Sequence, residues 1–299
     1  MPDNDYRAGF VSFVGRPNVG KSTLTNALVG EKVAITSSKP QTTRRAIRGI
    51  VHRENGQLIL VDTPGIHRPR TLLGERLNKL VQTTLGDVDV IGMCFPADEP
   101  IGPGDKFINE QLNDFPRAKK VAIVTKVDVA SKQKVAAQLL AVSELREWDS
   151  VIPLSAVSGE QLDILVAELL KLLPTSEQPL YPDEAVTDEG LEDRIAEYIR
   201  EAALEGVSDE LPHSIAVTID DILRREDKDL VEIYANLFVE RDSQKGIIIG
   251  KAGSRLADVG ARARAQIEPL VGSKVFLSLR VKVAKDWQRD PKQLGKLGF

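Results

Sequence analysis

Gly15-Arg16-Pro17-Asn18-Val19-Gly20-Lys21-Ser22 carries the spacing G-x-x-x-x-G-K-[ST], that of a loop wrapped round a nucleoside triphosphate. The glycines let successive backbone N–H groups curl about phosphate oxygens, and a helix opening behind the loop adds partial positive charge. Lys21 is positioned to reach the β- and γ-phosphates, and the Ser22 hydroxyl to ligate Mg²⁺. Asp62-Thr63-Pro64-Gly65 closes a short apolar run. A carboxylate there can hold Mg²⁺ through a water, and the Gly65 N–H can bond the γ-phosphate. Neither motif identifies the base. Thr125-Lys126-Val127-Asp128 does, because the Asp128 carboxylate can accept from guanine N1–H and the N2 amine. Adenine lacks both donors, and at ~1.5–3 kcal/mol per charged hydrogen bond the difference chooses the base. The Lys126 stem can lie along the base plane, and Ser155-Ala156-Val157 can supply a backbone N–H for guanine O6. Each short piece alone reads as a plain strand-end loop; their shared order makes guanine recognition the better account.

A second constellation lies near the C-terminus. Gly250-Lys251-Ala252-Gly253-Ser254-Arg255 places G-x-x-G after the apolar run Ile247 to Ile249 and before a helix. Lone G-x-x-G is a weak signal, but in a small basic α/β module it resembles the loop of a KH domain. Such a loop clamps the backbone of about four single-stranded nucleotides. The glycines permit close approach of phosphates, and Lys251 and Arg255 add charge. Arg262, Arg264, Lys282 and Lys285 read equally well as a solvated face, and Trp287 as core.

The elements that must position these residues follow from apolar runs. Phe10–Val14, Leu58–Val61, Val88–Phe95, Val121–Val124 and Val151–Leu154 are short and β-branched, the pattern of parallel strands buried on both faces. Helical stretches at Lys21–Val29 and Leu162–Leu173 complete an α/β fold with a mostly parallel sheet and helices on both faces, spanning residues 1–175. From Pro174 to Gly190 three prolines and five acidic residues occur with few core residues, which reads as an interdomain linker over 176–190. Residues 191–299 then read helix (Leu191–Leu204), strand (Ser214–Asp220), strand (Leu230–Glu240), helix ending near Ile249, helix (Ser254–Leu270), strand (Val275–Val283) and a short helix (Pro291–Leu297). That order, α-β-β-α-α-β, is the type II KH arrangement in a smaller α+β domain.

Composition narrows the class. With 42% hydrophobic and 28% charged residues the 299-residue chain sits near soluble globular averages. The net charge of −4 hides an asymmetry: from Arg241 to Phe299 there are 13 Lys and Arg against 5 Asp and Glu. A basic end on an acidic chain points to a polyanion partner or to a solvated basic face. Cys94 is the single cysteine, so no intrachain disulfide forms, and a reducing, cytoplasmic compartment is the expectation. No apolar run reaches the ~18–20 residues of a membrane span, and Met1-Pro2-Asp3-Asn4-Asp5 does not read as a signal peptide. His52, His67 and His213 are too scattered for a metal site, and no nucleophile–base set for acyl transfer is evident.

The order GRPNVGKS, PQTTR, DTPG, TKVD and SAV resembles the motif series of translation-factor-like bacterial GTPases. With the C-terminal G-x-x-G and Leu211-Pro212-His213-Ser214, essentially the whole chain resembles the Era family, GTPases of small-subunit assembly. The resemblance implies GTP and GDP as ligands with Mg²⁺. It implies single-stranded RNA at the 3′ end of 16S rRNA and the small ribosomal subunit as partners, with no DNA expected. It also implies peripheral contact with the inner face of the cell membrane, although no amphipathic anchor stands out. One of Thr42 and Thr43, in the switch I segment Pro40-Gln41-Thr42-Thr43-Arg44, would ligate Mg²⁺. Asn18 would either ligate a K⁺ that supplies transition-state charge or merely stabilise the loop. Where the family usually has asparagine this chain has Thr125, whose hydroxyl can still make a hydrogen bond. Ile66 follows Gly65 where many GTPases place a water-orienting glutamine, so intrinsic turnover should be slow. Ile66 to Gly86 is expected to be a mobile switch II. Two other readings are a static RNA-binding adaptor with a nucleotide pocket and negligible turnover, and a tRNA-modification GTPase, for which no cysteine or folate-type module is present.

Overall fold

A computed structural model of the chain describes residues 6–37, 39, 42–65, 69, 71–207 and 211–299. The described residues divide into two compact units. The first comprises residues 1–36, 43–68 and 77–188, and the second residues 37–42, 69–76 and 189–299.

In chain order the elements before residue 175 are β1 (Arg7–Val14), α1 (Lys21–Val29), β2 (Ile47–Arg53), β3 (Gly56–Asp62), α2 (Leu72–Asp87), β4 (Val90–Pro96), α3 (Pro103–Gln111), β5 (Lys119–Thr125), α4 (Lys132–Ser143), β6 (Ser150–Pro153) and α5 (Leu162–Leu172). The strands form one sheet ordered β2-β3-β1-β4-β5-β6. Every pair is parallel except β2 with β3. Strands β3 and β4 are buried along their whole length, which is why they read as unbroken apolar runs. Two apolar layers flank the sheet. Leu24 and Leu28 of α1 and Leu165 and Leu169 of α5 cover one face. Val81 and Leu85 of α2, Ile108 of α3 and Val142 of α4 cover the other.

Three features differ from the sequence reading. Strand β2 was not anticipated: it mixes Arg48, His52 and Arg53 with apolar residues, because it is antiparallel and bonded to β3 through one edge. The stretch expected to be a mobile switch contains α2, whose Leu73, Leu77, Val81 and Leu85 recur four apart and are all buried. The third concerns residues 176–188, read as linker, which are hydrogen-bonded onto β2 and the start of β3 and count with the first unit. Gln57 accepts from the Leu180 and Tyr181 N–H groups (2.8 and 2.9 Å), Ile50 N–H donates to the Val186 carbonyl (2.9 Å), and Arg48 pairs with Asp188 (2.7 Å). Backbone pairing at a sheet edge needs few apolar side chains, so composition misses it.

The second unit contains α6 (Leu191–Leu204), α7 (Leu211–Ser214), β7 (Ala216–Arg225), β8 (Leu230–Val239), α8 (Asp242–Ile249), α9 (Ser254–Val271), β9 (Lys274–Val283) and α10 (Pro291–Lys296). Its sheet is ordered β7-β8-β9, antiparallel then parallel. Ser214, expected to open the first strand, ends α7 instead, and β7 runs on to Arg225 past a bulge between Ile219 and Asp221. Odd-numbered residues of β8 (Val231, Ile233, Ala235, Leu237, Val239) are buried together with Ile248 of α8 and Val259, Ala263 and Ile267 of α9. Trp287 is fully buried and its indole N–H donates to the Ser214 carbonyl (3.0 Å). Within this unit the Arg200 guanidinium donates to the Thr42 carbonyl.

Candidate functional site

The loop from Gly15 to Gly20 sits at the carboxyl end of β1, where the strand order reverses between β3 and β4, the usual position for a ligand in an open α/β sheet. Gly15 has φ +151°, and a Cβ there would lie 2.8 Å from the Cys94 carbonyl oxygen, so only glycine lets the loop pass β4. Asn18 (φ +65°) and Gly20 (φ +97°) are also left-handed, and together they fold the chain back to start α1 at Lys21. Gly20 caps that helix without a side-chain hydrogen bond, so the first-turn N–H groups have no side-chain cap. The Lys21 ammonium is buried and donates to the Gly15 and Arg16 carbonyls (2.9 Å each). Burial pulls its pKa below the usual lysine range. Pro17 and Asn18 are exposed at the loop tip, and Val19 is buried in the core beneath it.

Asp62 ends β3 fully buried. Its Oδ2 accepts from the Ser22 hydroxyl (2.9 Å) and the Thr43 hydroxyl (3.1 Å), which are themselves 3.4 Å apart. Its Oδ1 has no hydrogen-bond partner. Burial pushes its pKa up, opposed by those two hydroxyls and by the Lys21 charge. Two hydroxyls and one buried carboxylate with a spare oxygen make a hard, all-oxygen donor set beside the loop. Such a set suits Mg²⁺, which takes few protein ligands and completes its shell with phosphate and water. Among the described residues no group of three or more His, Cys, Asp and Glu could hold a metal by itself. Thr42 lies outside the cluster, its hydroxyl donating to the Lys39 carbonyl (2.7 Å). Thr63 and Pro64 are buried and Gly65 is partly exposed, a Cβ there falling 3.9 Å from the Lys21 ammonium. Pro40, Gln41 and Ile66 lie outside the described residues.

On the base side, Lys126 has φ +60° and starts a short turn in which Asp128 is exposed and makes no hydrogen bond or ion pair among the described residues. The Val127 N–H donates to the Leu154 carbonyl (3.3 Å), which joins this turn to the segment holding Ser155, Ala156 and Val157. Ser155 is fully buried and its hydroxyl accepts from the Ser158 N–H (3.1 Å), holding that loop shut. The Thr125 hydroxyl is spent on the Val19 carbonyl (2.7 Å), so it braces the phosphate loop from β5.

Sequence reasoning missed the Arg16 side chain. Its guanidinium bonds Asp105 (2.9 Å) and Glu99 (3.0 Å), tying the loop to the start of α3. Gly104 makes room, since a Cβ there would meet the Arg16 Cδ at 3.0 Å. No local motif signals a pairing between residues 89 positions apart. Cys94 is buried under the loop, and its thiol pKa is pushed up to about 12 by burial, which keeps it protonated and inert.

In the second unit, Gly250 (φ +72°), Ala252 (φ +51°) and Gly253 (φ +80°) turn the chain from α8 into α9. Gly253 caps α9 without a side-chain bond, and Lys251, Ala252 and Ser254 are exposed. Arg255 departs from the expectation of a free phosphate ligand. Its guanidinium donates to the carbonyls of Ala203 (3.3 Å), Glu205 (2.6 Å) and Gly206 (3.5 Å), where it satisfies the end of α6.

Comparison with known proteins adds the family. A family described as a 50S ribosome-binding GTPase matches residues 10–126, and a KH domain family matches residues 210–288. The chain is 78% identical over 295 residues to the GTPase Era of Leifsonia xyli subsp. xyli, with 99% of both chains covered. It is 65% identical over 298 residues to the GTPase Era of Mycolicibacterium smegmatis, again with 99% of both covered. A crystal structure of Era in complex with MgGDPNP and nucleotides 1506–1542 of 16S ribosomal RNA superposes with a TM-score of 0.93 at 36% identity, covering 98% of this chain and 99% of that one. An Aquifex aeolicus Era variant bound to GDP and AlF4⁻ matches with the same TM-score, identity and coverage. A phosphate loop built as described, a KH fold after it in the chain and whole-length identity of this size place the chain in the Era family: it is a P-loop GTPase with a C-terminal KH domain.

Proposed function

We propose that the chain is a slowly turning GTP switch that binds the 3′ end of 16S rRNA and serves assembly of the small ribosomal subunit. The observation that carries the switch is the convergence of Ser22, Thr43 and Asp62 oxygens beside the buried Lys21 ammonium. Lys21, released from the Gly15 and Arg16 carbonyls, reaches the β- and γ-phosphates. The Ser22 and Thr43 hydroxyls and the spare Oδ1 of Asp62 would hold Mg²⁺, which when bound would supply positive charge beside the phosphates. Asp128 selects guanine and the Ser155 to Val157 backbone reads O6. Thr43, rather than Thr42, is the γ-phosphate-dependent ligand, because only its hydroxyl shares Asp62.

Slow turnover rests on side-chain chemistry. The Ile66 side chain has no hydrogen-bonding group, so it cannot orient a water molecule as a glutamine would. The choice of the small subunit is supported by the solved Era complex, whose match spans both units and whose RNA is 16S. The family described by the large subunit matches only residues 10–126, which leaves the RNA-binding module out.

The test is single-turnover hydrolysis of GTP and ATP by the full chain, with and without RNA of the 16S 3′ end. The expected result is hydrolysis of GTP alone, at a slow basal rate that RNA changes. A rate of zero under every condition would return the molecule to a static adaptor, and equal use of ATP would remove the role given to Asp128.

A further inference from the structure

We propose that the open face of the β7-β8-β9 sheet is a second seat for single-stranded RNA, distinct from the Gly250–Gly253 loop, with bases stacked on Phe276 and Tyr234 and phosphates held by Arg280 and Lys282.

The face is defined by register. Helices cover the odd-numbered side of β8, so Glu232, Tyr234, Asn236 and Phe238 project to the other side. They stand opposite Phe276, Ser278, Arg280 and Lys282 of β9. Phe276 is 50% exposed, large for a phenylalanine on a sheet, and meets the Tyr234 ring edge-on at 6.3 Å between centroids. Among the described residues of this unit, no helix or loop has buried Phe276.

Charge says what would cover it. Arg280 is exposed and makes no ion pair or hydrogen bond among the described residues. Lys282 is exposed, with its ammonium 5.9 Å from the Phe238 ring. Glu232, on β8 opposite Phe276, is already neutralised by Arg225 (3.1 Å) and bonded by the Tyr234 hydroxyl (3.2 Å). On β7, Asp221 stands opposite Tyr234 and Asp220 accepts from Asn236, so the unpaired cations of this face are confined to β9.

Two cations without carboxylate partners beside the exposed Phe276 ring and the half-buried Tyr234 ring suit a polyanion with flat, apolar faces. Protein interfaces enrich aromatic residues and arginine and deplete lysine, so it is the unpaired charge of Arg280 and Lys282 together, and not the rings, that points to a polyanion. Aromatic side chains on an open sheet are how other RNA-binding folds stack unpaired bases, and a π-face accepts any base. The seat would therefore read strand character and little sequence, whereas the glycine loop clamps the backbone.

The proposal extends the RNA-binding reading, and the experiment separates the two. Anisotropy of a fluorescein-labelled oligoadenylate of about 12 nucleotides, within the site sizes of single-strand platforms, is measured on the full chain and on its Gly253→Asp variant. Gly253→Asp should weaken but not abolish binding. Adding Phe276→Ala to it should weaken binding by a further factor of about 5 to 150, the loss of one stacked base. Phe276→Trp should restore it, and Arg280→Gln should lower the salt slope by about 0.7, as for one phosphate contact on a single strand. Unchanged GTP affinity and circular dichroism report that each variant is folded. A 4-thiouridine crosslink to residues 274–283 is the direct positive result. If Gly253→Asp alone abolishes binding, or if Phe276→Ala and Arg280→Gln both bind as their parent does, there is no second seat. Loss of a ribosomal protein contact with RNA affinity intact would assign the face to protein and overturn the proposal. Conversely, if Gly253→Asp is silent while Phe276→Ala weakens binding, the glycine-loop reading fails and the sheet seat stands.

Discussion

The two glycine loops of this molecule are built alike at their ends and differently between them. In each, the first glycine passes close to other atoms: a Cβ on Gly15 would meet the Cys94 carbonyl at 2.8 Å, and one on Gly250 would meet the Arg255 Cβ at 2.7 Å. In each, the second glycine is left-handed, has open space around its missing Cβ, and starts a helix with no side-chain cap: Gly20 before α1, Gly253 before α9. What lies between decides the ligand. The phosphate loop has four residues there, with Val19 packed in the core, Arg16 pinned to Asp105 and Lys21 buried behind them. The RNA loop has two, and both are exposed. A long, internally anchored loop holds donors in fixed places for one compact polyphosphate; a short exposed turn meets an extended backbone that supplies its own geometry. Preorganisation reduces the entropy lost on binding, so the buried loop suits tight and selective binding, and the exposed one suits weaker contact needing help from other surfaces.

The same small substitution should therefore destabilise the two loops very unequally, and this is the largest effect expected. Gly15→Ala combines a left-handed φ with a clash against backbone on β4, and should cost about 4 kcal/mol by strain and overpacking together. Gly253→Ala meets nothing within 4 Å and should cost about 1 kcal/mol from its left-handed φ alone. Guanidinium melts of the two variants, followed by far-UV circular dichroism, measure the difference. Equal losses would mean that the loops are not constructed as described.

How far the sequence disclosed this follows from the range of each interaction. The phosphate loop, Asp62 and the Thr125–Asp128 turn are legible because each lies within a few residues of a strand end, and the apolar runs of β1, β3, β4, β5 and β6 mark those ends. The KH element order was legible for the same reason. Contacts across the chain were not. Arg16 with Asp105, Thr125 with Val19, and Arg255 with the end of α6 join distant segments through ordinary residues. The strap over residues 176–188 was hidden because it pairs by backbone, and the exposed Phe276 beside the half-buried Tyr234 because strand residues of that type usually signal core.

Adjacent threonines sharpen the nucleotide side of the comparison at intermediate magnitude. The Thr43 hydroxyl donates to Asp62 (3.1 Å), and the Thr42 hydroxyl to the Lys39 carbonyl (2.7 Å). Sequence treats them as equals, since consecutive residues in an extended segment face opposite ways only once the fold says which way is in. Thr43→Ala should raise the Mg²⁺ concentration needed for a non-hydrolysable GTP analogue by about 10- to 150-fold, the loss of one charged hydrogen bond. It should leave GDP affinity within about twofold, and Thr42→Ala should leave both there. Mg²⁺ titrations with a fluorescent GTP analogue and with GDP read this directly. The reverse pattern would move the switch contact to Thr42.

The smallest effect concerns Asn18, the residue on which the longer loop differs most from the shorter. It is exposed at the tip with φ +65°, so an alanine scan would confound side-chain chemistry with backbone strain. Asn18→Gly avoids this, because glycine takes the same φ at no steric cost. If the Asn18 amide oxygen holds a K⁺ against the developing charge, single-turnover hydrolysis should run about tenfold faster in K⁺ than in Na⁺ at equal ionic strength, a lowering of the barrier by ~1.4 kcal/mol. Asn18→Gly should erase that ratio while GTP affinity stays within about threefold. If Asn18 only stabilises the loop, the wild-type rates in the two salts coincide and Asn18→Gly affects nucleotide affinity instead. The two roles predict different observables, so one pair of salts and one variant decide between them.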